Sequence, residues 1–276
     1  MKAFWSFPNV LDITAMVLIA CPFAHSQDDV TSILQKSTEA SKRDWAAVPE
    51  FDNDERDRTK SGDRTYAVTM LYGSPYEKVI AVNGHKLNLS QQKAEQEKFE
   101  KAVAERRNES PESRSKRIAK YEAERRRDNT MLAQLTTAFD FRLLGKRSLN
   151  GYQVYVLKAT PRQGYHPPDR DSRVLTGMEG TLWIDQKTFQ WVKVEAHVTR
   201  PVRIEGFLAE VEPGTRFEVE KRPVAGDIWL ASHFSMRSNA KVLLLIPRSG
   251  EEDDSYFGYQ KANGSSGKHP LASSPP

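Results

Sequence analysis

The chain has 276 residues, of which 38% are hydrophobic and 28% are charged, and its formal net charge is +4. This length suits one large or two small domains, and the apolar fraction is enough to bury a core. Acidic and basic residues are interspersed, so nucleic acid is not an expected partner. The single cysteine is Cys21. A chain that loses it has no disulfide, no thiolate metal site and no thiol nucleophile.

Residues 1–26 have the pattern of a secretory signal peptide. A run of nine residues, Ile13–Cys21, is mostly apolar and is ended by Pro22. The run is too short to span a bilayer, which takes about 20 apolar residues. Small residues at both ends of Ala24-His25-Ser26 fit cleavage after residue 26. The sequence therefore predicts an exported, periplasmic protein.

The end of this signal has a second interpretation. Leu18-Ile19-Ala20-Cys21 resembles a lipobox, in which the cysteine is lipidated and becomes the first residue. Three outcomes stay open at this stage: cleavage with release, a lipid anchor to the envelope through Cys21, and a retained anchor. Later apolar runs are far shorter than a bilayer requires, so no transmembrane helix is expected in the mature chain.

The first elements after the signal follow from their periodicity. Residues 28–47 are predicted to be helical, because apolar side chains recur at helical spacing. Residues 50–63 are dense in charge and are expected to form a loop. The alternating segments 65–72 and 76–82 are predicted strands, and the Asn83-Gly84 dipeptide predicts a turn.

Residues 90–137 change character, because they are rich in Glu, Lys, Arg, Gln and Ala. These are good helix formers, so we predict two helices over 90–108 and 111–137. The break is placed at Ser110-Pro111, since serine caps a helix and proline suits its first position. This segment is interpreted as a charged helical-hairpin insertion with mostly solvated surfaces.

From Phe139 the apolar pattern returns to a period of two. Strands are predicted at 139–143, 152–159, 180–184, 190–199, 215–221, 227–237 and 241–246. In the fourth of these, Val192, Val194, Ala196 and Val198 are expected to share one face. Strands in meander order predict an α+β fold: a large curved antiparallel sheet, or half-barrel, over residues 27–260 with helices on its concave side. Residues 261–276 are expected to be a disordered tail.

The sequence carries no complete catalytic motif. Its histidines lack zinc-ligand spacing, and no G-x-S-x-G segment occurs. We therefore assign no catalytic residue, metal or cofactor and expect a protein that is not an enzyme. Aromatic residues on predicted strands fit either core packing or the wall of an apolar cavity between sheet and helix. The candidate cavity residues are Leu182, Ile184, Val192, Val194, Phe217, Val219, Phe234 and Met236.

One pattern resembles a known family. Gly180-Thr181-Leu182-Trp183-Ile184-Asp185, followed by Phe189–Val194, resembles the central hairpin of the LolA/LolB-like superfamily of outer-membrane lipoprotein-sorting proteins. The charged double helix and Phe139–Leu143 resemble an exported bacterial branch of it. The resemblance covers residues 28–260 and implies a half-barrel closed by helices, whose apolar space holds acyl chains in the carriers.

Two functions are compatible with this resemblance. The first is a periplasmic or cell-envelope binding or carrier protein for lipid or lipoprotein acyl chains. The second is a non-enzymatic protein-interaction module of the envelope, resembling a stress sensor, in which the helical arm 90–137 contacts a protein partner. Copurified lipid would support the first function, and a fully packed core between sheet and helix would count against it.

Overall fold

The computed structural model of the protein describes residues 25–204, 209–242 and 246–262. The segment predicted as a signal, with Cys21, lies outside these residues as far as position 24. Most of the predicted tail, from residue 263, also lies outside them. No helix in the described part of the chain is both long enough and apolar enough to span a membrane.

Three α-helices and thirteen strands make up the described fold. The helices are α1 (His25–Ala47), α2 (Leu89–Asn108) and α3 (Pro111–Ala138). The strands are β1 (Phe51–Thr59), β2 (Gly62–Leu71), β3 (Ser74–Val82), β4 (His85–Lys86), β5 (Phe139–Leu149), β6 (Tyr152–Pro161), β7 (Met178–Asp185), β8 (Trp191–Val198), β9 (Val202–Arg203), β10 (Ala209–Val211), β11 (Arg216–Ala225), β12 (Ile228–Val242) and β13 (Ile246–Lys261).

The strands form one open antiparallel sheet in the order β4-β3-β2-β1-β13-β12-β11-β8-β7-β6-β5. The short strands β9 and β10 pair beside β12. The sheet with its helices confirms the predicted α+β class and fits a curved half-barrel. The predicted simple meander is wrong in one respect, because the first strand pairs with the last. Strands β4 and β5 therefore stand at opposite ends of the sheet, and α2 and α3 connect them.

The expectation of a loop over residues 50–63 is wrong. Residues Phe51–Thr59 form β1, which pairs along most of its length with both β2 and β13. Strand β13 was not predicted either. Both strands carry polar side chains on either face, so the apolar alternation that marks a half-buried strand is missing. Their place in the sheet is fixed by pairing with each other rather than by local pattern.

Helix α1 packs on one face of the sheet, which we call the inner face. Val30 and Ile33 of α1 belong to the same buried core as Leu157, Leu182 and Val194 on strands β6, β7 and β8. These three strand residues are directly paired neighbours, so their side chains lie on the same side. The predicted helix 28–47 is confirmed, and its apolar stripe is what attaches it to the sheet.

The break between α2 and α3 occurs where the sequence predicts it. The Ser110 hydroxyl accepts a hydrogen bond from the Ser113 amide at 3.1 Å, and Pro111 occupies the first turn of α3. Asn88 caps α2 in a reciprocal capping box with Gln91. Local capping chemistry therefore sets the limits of both helices.

The helical hairpin is anchored to the β2–β3 turn by two arginines, Arg106 and Arg117, which we call the arginine clamp. Arg106 donates to the carbonyls of Leu71 at 3.0 Å and Ser74 at 2.8 Å. Arg117 donates to the Ser74 hydroxyl at 2.6 Å and to the Tyr72 carbonyl at 3.0 Å. The insertion is therefore an integral part of the domain and not a free arm.

Further along, α3 contacts α1 and the other end of the sheet. The Arg125 guanidinium lies 4.4 Å from the centre of the Trp45 ring and donates to the Trp45 carbonyl. Leu135 packs on the main core, and Gln134 accepts a hydrogen bond from Tyr165 at 3.3 Å. With 28 residues, α3 is about 42 Å long, so it spans from the β2–β3 turn to the start of β5.

Removing one member of the arginine clamp tests this attachment. We expect Arg106→Met to lower the free energy of unfolding by roughly 2 kcal/mol, because several backbone carbonyls lose a charged donor. Amide exchange in the β2–β3 turn is expected to accelerate as well. The matched control is Arg107→Met, because Arg107 is exposed and, among the described residues, its side chain donates to the Tyr72 hydroxyl alone. A loss of stability as large in the control as in Arg106→Met would contradict the clamp.

Candidate functional site

Three of the eight candidate cavity residues are part of the packed core. Leu182, Ile184 and Val194 are 5%, 0% and 5% exposed, and they pack with α1. Ile33 of α1, at 1% exposed, fills the space above them. The region directly under α1 is therefore occupied by side chains, and these three residues contribute to stability there.

The position of Val192 differs from the predicted pattern. The pairing of β7 with β8 shifts between Trp183 and Ile184, so that Ile184 pairs with Trp191. This bulge inserts one extra residue in β8 and reverses the side-chain alternation. Val192 consequently packs in a separate cluster with Val154 and other residues of the outer face. The expectation that it shares a face with Val194 is wrong.

The remaining four candidates form a continuous apolar patch, which we call the apolar strip: Phe217, Val219, Phe234 and Met236. Phe217 pairs directly with Met236, and Val219 pairs with Phe234. Val219 also pairs with Val194, which places the strip on the inner face. All four side chains are partly exposed. The strip therefore extends the core beyond α1 as an accessible apolar surface.

Carboxylates continue the inner face on the next two strands. Phe234 pairs with Asp254 and Met236 with Glu252, while Asp254 pairs in turn with Asp57 of β1. We call Glu55, Asp57, Glu252 and Asp254 the acidic strip. Direct partners in an antiparallel sheet have their side chains about 5 Å apart. The apolar and acidic strips therefore meet along the boundary between β12 and β13.

Burial and neighbouring negative charges raise the pKa values of two carboxyl groups in the acidic strip. Asp254 is 4% exposed, and burial, followed by the charges of Glu252 and Asp57, raises its pKa to about 7. Burial and the charge of Asp254 raise the pKa of Glu55 to about 7 as well. Burial also raises the pKa of the Tyr256 hydroxyl. At neutral pH the strip therefore holds both protonated and ionised carboxyl groups.

The buried carboxylate of Asp44 attaches the C-terminal end of α1 to the sheet. Asp44 is 2% exposed and accepts from the Gln190 side-chain amide at 3.0 Å and the Trp229 amide at 2.9 Å. Lys221 forms an ion pair with it at 3.0 Å. Asp44 therefore joins α1 to the β7–β8 turn, to β11 and to β12. This contact was not predictable from sequence, because its partners are far apart along the chain.

Within residues 25–204, 209–242 and 246–262, no group of three or more His, Cys, Asp or Glu side chains is arranged to hold a metal ion. The carboxylates of the acidic strip are spread over a sheet surface instead of converging on a point.

The sequence matches no protein-family profile and no curated protein. Several solved structures are similar in shape. An outer-membrane lipoprotein-sorting protein domain from Vibrio parahaemolyticus is 15% identical with a TM-score of 0.27, and the match covers 47% of this chain and 45% of that one. A LolA superfamily protein from Nitrosomonas europaea is 14% identical with a TM-score of 0.31, covering 84% and 92%.

A third similar structure is the MucA/MucB complex of Pseudomonas aeruginosa, at 12% identity and a TM-score of 0.24, covering 84% of this chain and 99% of that one. At these identities and TM-scores, no residue role is transferred from any of the three. The open antiparallel sheet with α1 on its inner face fits the half-barrel that the sequence resemblance implies.

Proposed function

We propose that the protein is an exported, non-enzymatic binding or carrier protein that holds an acyl chain of a lipid or lipoprotein on the apolar strip. The observation that carries this proposal is the exposure of the strip: four apolar side chains in register on the inner face of an open sheet. The neighbouring core under α1 is filled, so the strip is where an apolar ligand gains contact.

The energetics of such a contact are sufficient for useful affinity. Burying one methylene group contributes about 0.8 kcal/mol, so a chain of ten or so carbons offsets the cost of immobilising the ligand. The pairing of Phe217 with Met236 and of Val219 with Phe234 creates two adjacent rows. An extended acyl chain fits between such rows with its length running across the strands.

The alternative function uses the helical insertion to contact a protein partner. The outer surfaces of α2 and α3 carry ion pairs four residues apart, such as Lys93–Glu97 and Lys120–Glu124. This is the pattern of a solvated helix face. The arginine clamp also gives the insertion a structural role within the domain. These observations support the apolar strip more than the helical arm as the binding surface.

Polar substitutions of similar size test the strip. We expect the double variant Val219→Thr, Met236→Gln to bind a fluorescent C12 alcohol at least tenfold more weakly, because about 1.4 kcal/mol of apolar contact is lost. The matched control is Val48→Thr, Leu144→Gln, since both residues are exposed apolar side chains outside the strip. Equal affinities of the double variant and the wild type, at equal thermal stability, would contradict the proposal.

A further inference from the structure

We infer, on the basis of the proposed function, that the ligand is a cationic amphiphile whose acyl chain lies on the apolar strip and whose ammonium head lies between Asp57 and Asp254. The juxtaposition of the two strips carries this inference. Phe234 is the direct partner of Asp254, and Asp254 is the direct partner of Asp57. One row across three strands therefore runs from an apolar side chain to two carboxylates.

The hydrogen bonding of these carboxylates points to a missing donor. The Oδ1 atoms of Asp57 and Asp254 are buried and have no hydrogen-bond partner among the described residues. Asp254 is also more than nine-tenths buried, and its recorded side-chain partners are Glu252 and the Tyr256 hydroxyl, which donates to Oδ2 at 3.4 Å. A buried carboxylate oxygen without a donor is energetically costly. An ammonium group has three donors and no acceptor, which matches this pair of oxygens.

The charges around the pair leave a negative excess on the inner face. Glu55 lies on β1, Glu252 on β13 and the exposed Glu77 on β3, and all three act on this region. On β2, the exposed Arg64 pairs with Asp57 and supplies one positive charge. Repulsion among the carboxylates is relieved when a further cation enters. Because the described carboxylates do not converge as metal ligands do, an organic cation fits the surface better than a metal ion.

The experiment compares unlabelled dodecylamine, 1-dodecanol and butylamine as competitors of the fluorescent C12 alcohol. Dodecylamine and dodecanol have the same chain, and dodecylamine keeps its charge between pH 6 and 8. We expect dodecylamine to bind at least tenfold more tightly than dodecanol at pH 8, with a smaller ratio at pH 6, where the acidic strip takes up protons. Butylamine is expected to compete weakly, because it lacks the apolar chain.

Substitution then locates the head group. Asp254→Asn is expected to abolish the preference for the amine while the affinity for dodecanol changes less than twofold. The control Glu124→Gln, on an exposed helix face, should keep the full preference. The comparison of ligands on the wild-type protein stands even if Asp254→Asn fails to fold.

The outcomes separate this inference from the proposed function. Equal affinities for dodecylamine and dodecanol would overturn the inference and leave acyl binding intact. Failure of both long-chain compounds to displace the probe would overturn both. Butylamine competing as strongly as dodecylamine would contradict the apolar half of the site.

Discussion

Replacing Asp44 with alanine is expected to lower the free energy of unfolding by about 3–5 kcal/mol, because the variant removes a buried carboxylate and leaves the partly buried Lys221 without its ion-pair partner. Asp44 also receives hydrogen bonds from the Gln190 side chain and the Trp229 amide. The Trp229 amide would lose this buried acceptor, and the Gln190 side chain would keep its hydrogen bond to the Asp227 carbonyl. Urea denaturation followed by tryptophan fluorescence measures the change, since Trp229 lies beside the substituted position.

Glu39→Ala provides the matched control for this substitution. Glu39 is on the same helix but is exposed, so its loss should change stability by less than about 0.5 kcal/mol. An Asp44→Ala protein as stable as Glu39→Ala would show that α1 is held by its apolar stripe alone. The role assigned to Asp44 would then be wrong.

The acidic strip is expected to make the protein less stable as pH rises from about 5 to about 8. The pKa of Glu55 is about 7 in the folded chain against an ordinary value of 4.5, and that of Asp254 is about 7 against 3.8. The folded state therefore binds protons more tightly than the unfolded state. The stability that these two groups contribute is fully present below their ordinary pKa values and is lost as the pH rises through about 7.

For Glu55 alone, a pKa shift of this size lowers the free energy of unfolding by roughly 3 kcal/mol between pH 5 and pH 8. Thermal unfolding in buffers from pH 5 to pH 8 measures the slope. The double variant Glu55→Gln, Asp254→Asn is expected to flatten it, because neither side chain titrates. A wild-type stability that falls between pH 5 and pH 8 no more steeply than that of the variant would contradict the assigned shifts.

The three helices were predictable because their signals are local. Apolar spacing marks α1, and Ser110 with Pro111 marks the junction of α2 and α3. The arginine clamp was not predictable, because Arg106 and Arg117 sit among many similar charged residues. Only the tertiary contact with the β2–β3 turn distinguishes them from their solvated neighbours.

The candidate site was predictable in part, for a related reason. Phe217, Val219, Phe234 and Met236 alternate with polar residues, so their shared face follows from strand geometry. Val192 was misplaced, because a bulge in the pairing of two strands leaves no mark in a single strand. The acidic strip was not foreseen, since β1 and β13 lack apolar alternation and are brought together from the two ends of the domain.

The central claim is that an acyl chain lies on the apolar strip, and photoaffinity labelling tests it most directly. A C12 alcohol with a terminal diazirine would be irradiated with the protein, and adducts would be mapped by peptide mass spectrometry. We expect adducts on Arg216–Ala225 and Ile228–Val242, the two strands that carry the strip, and we expect excess dodecanol to suppress them. Adducts mainly on α2 and α3, or labelling that excess dodecanol leaves unchanged, would contradict the account.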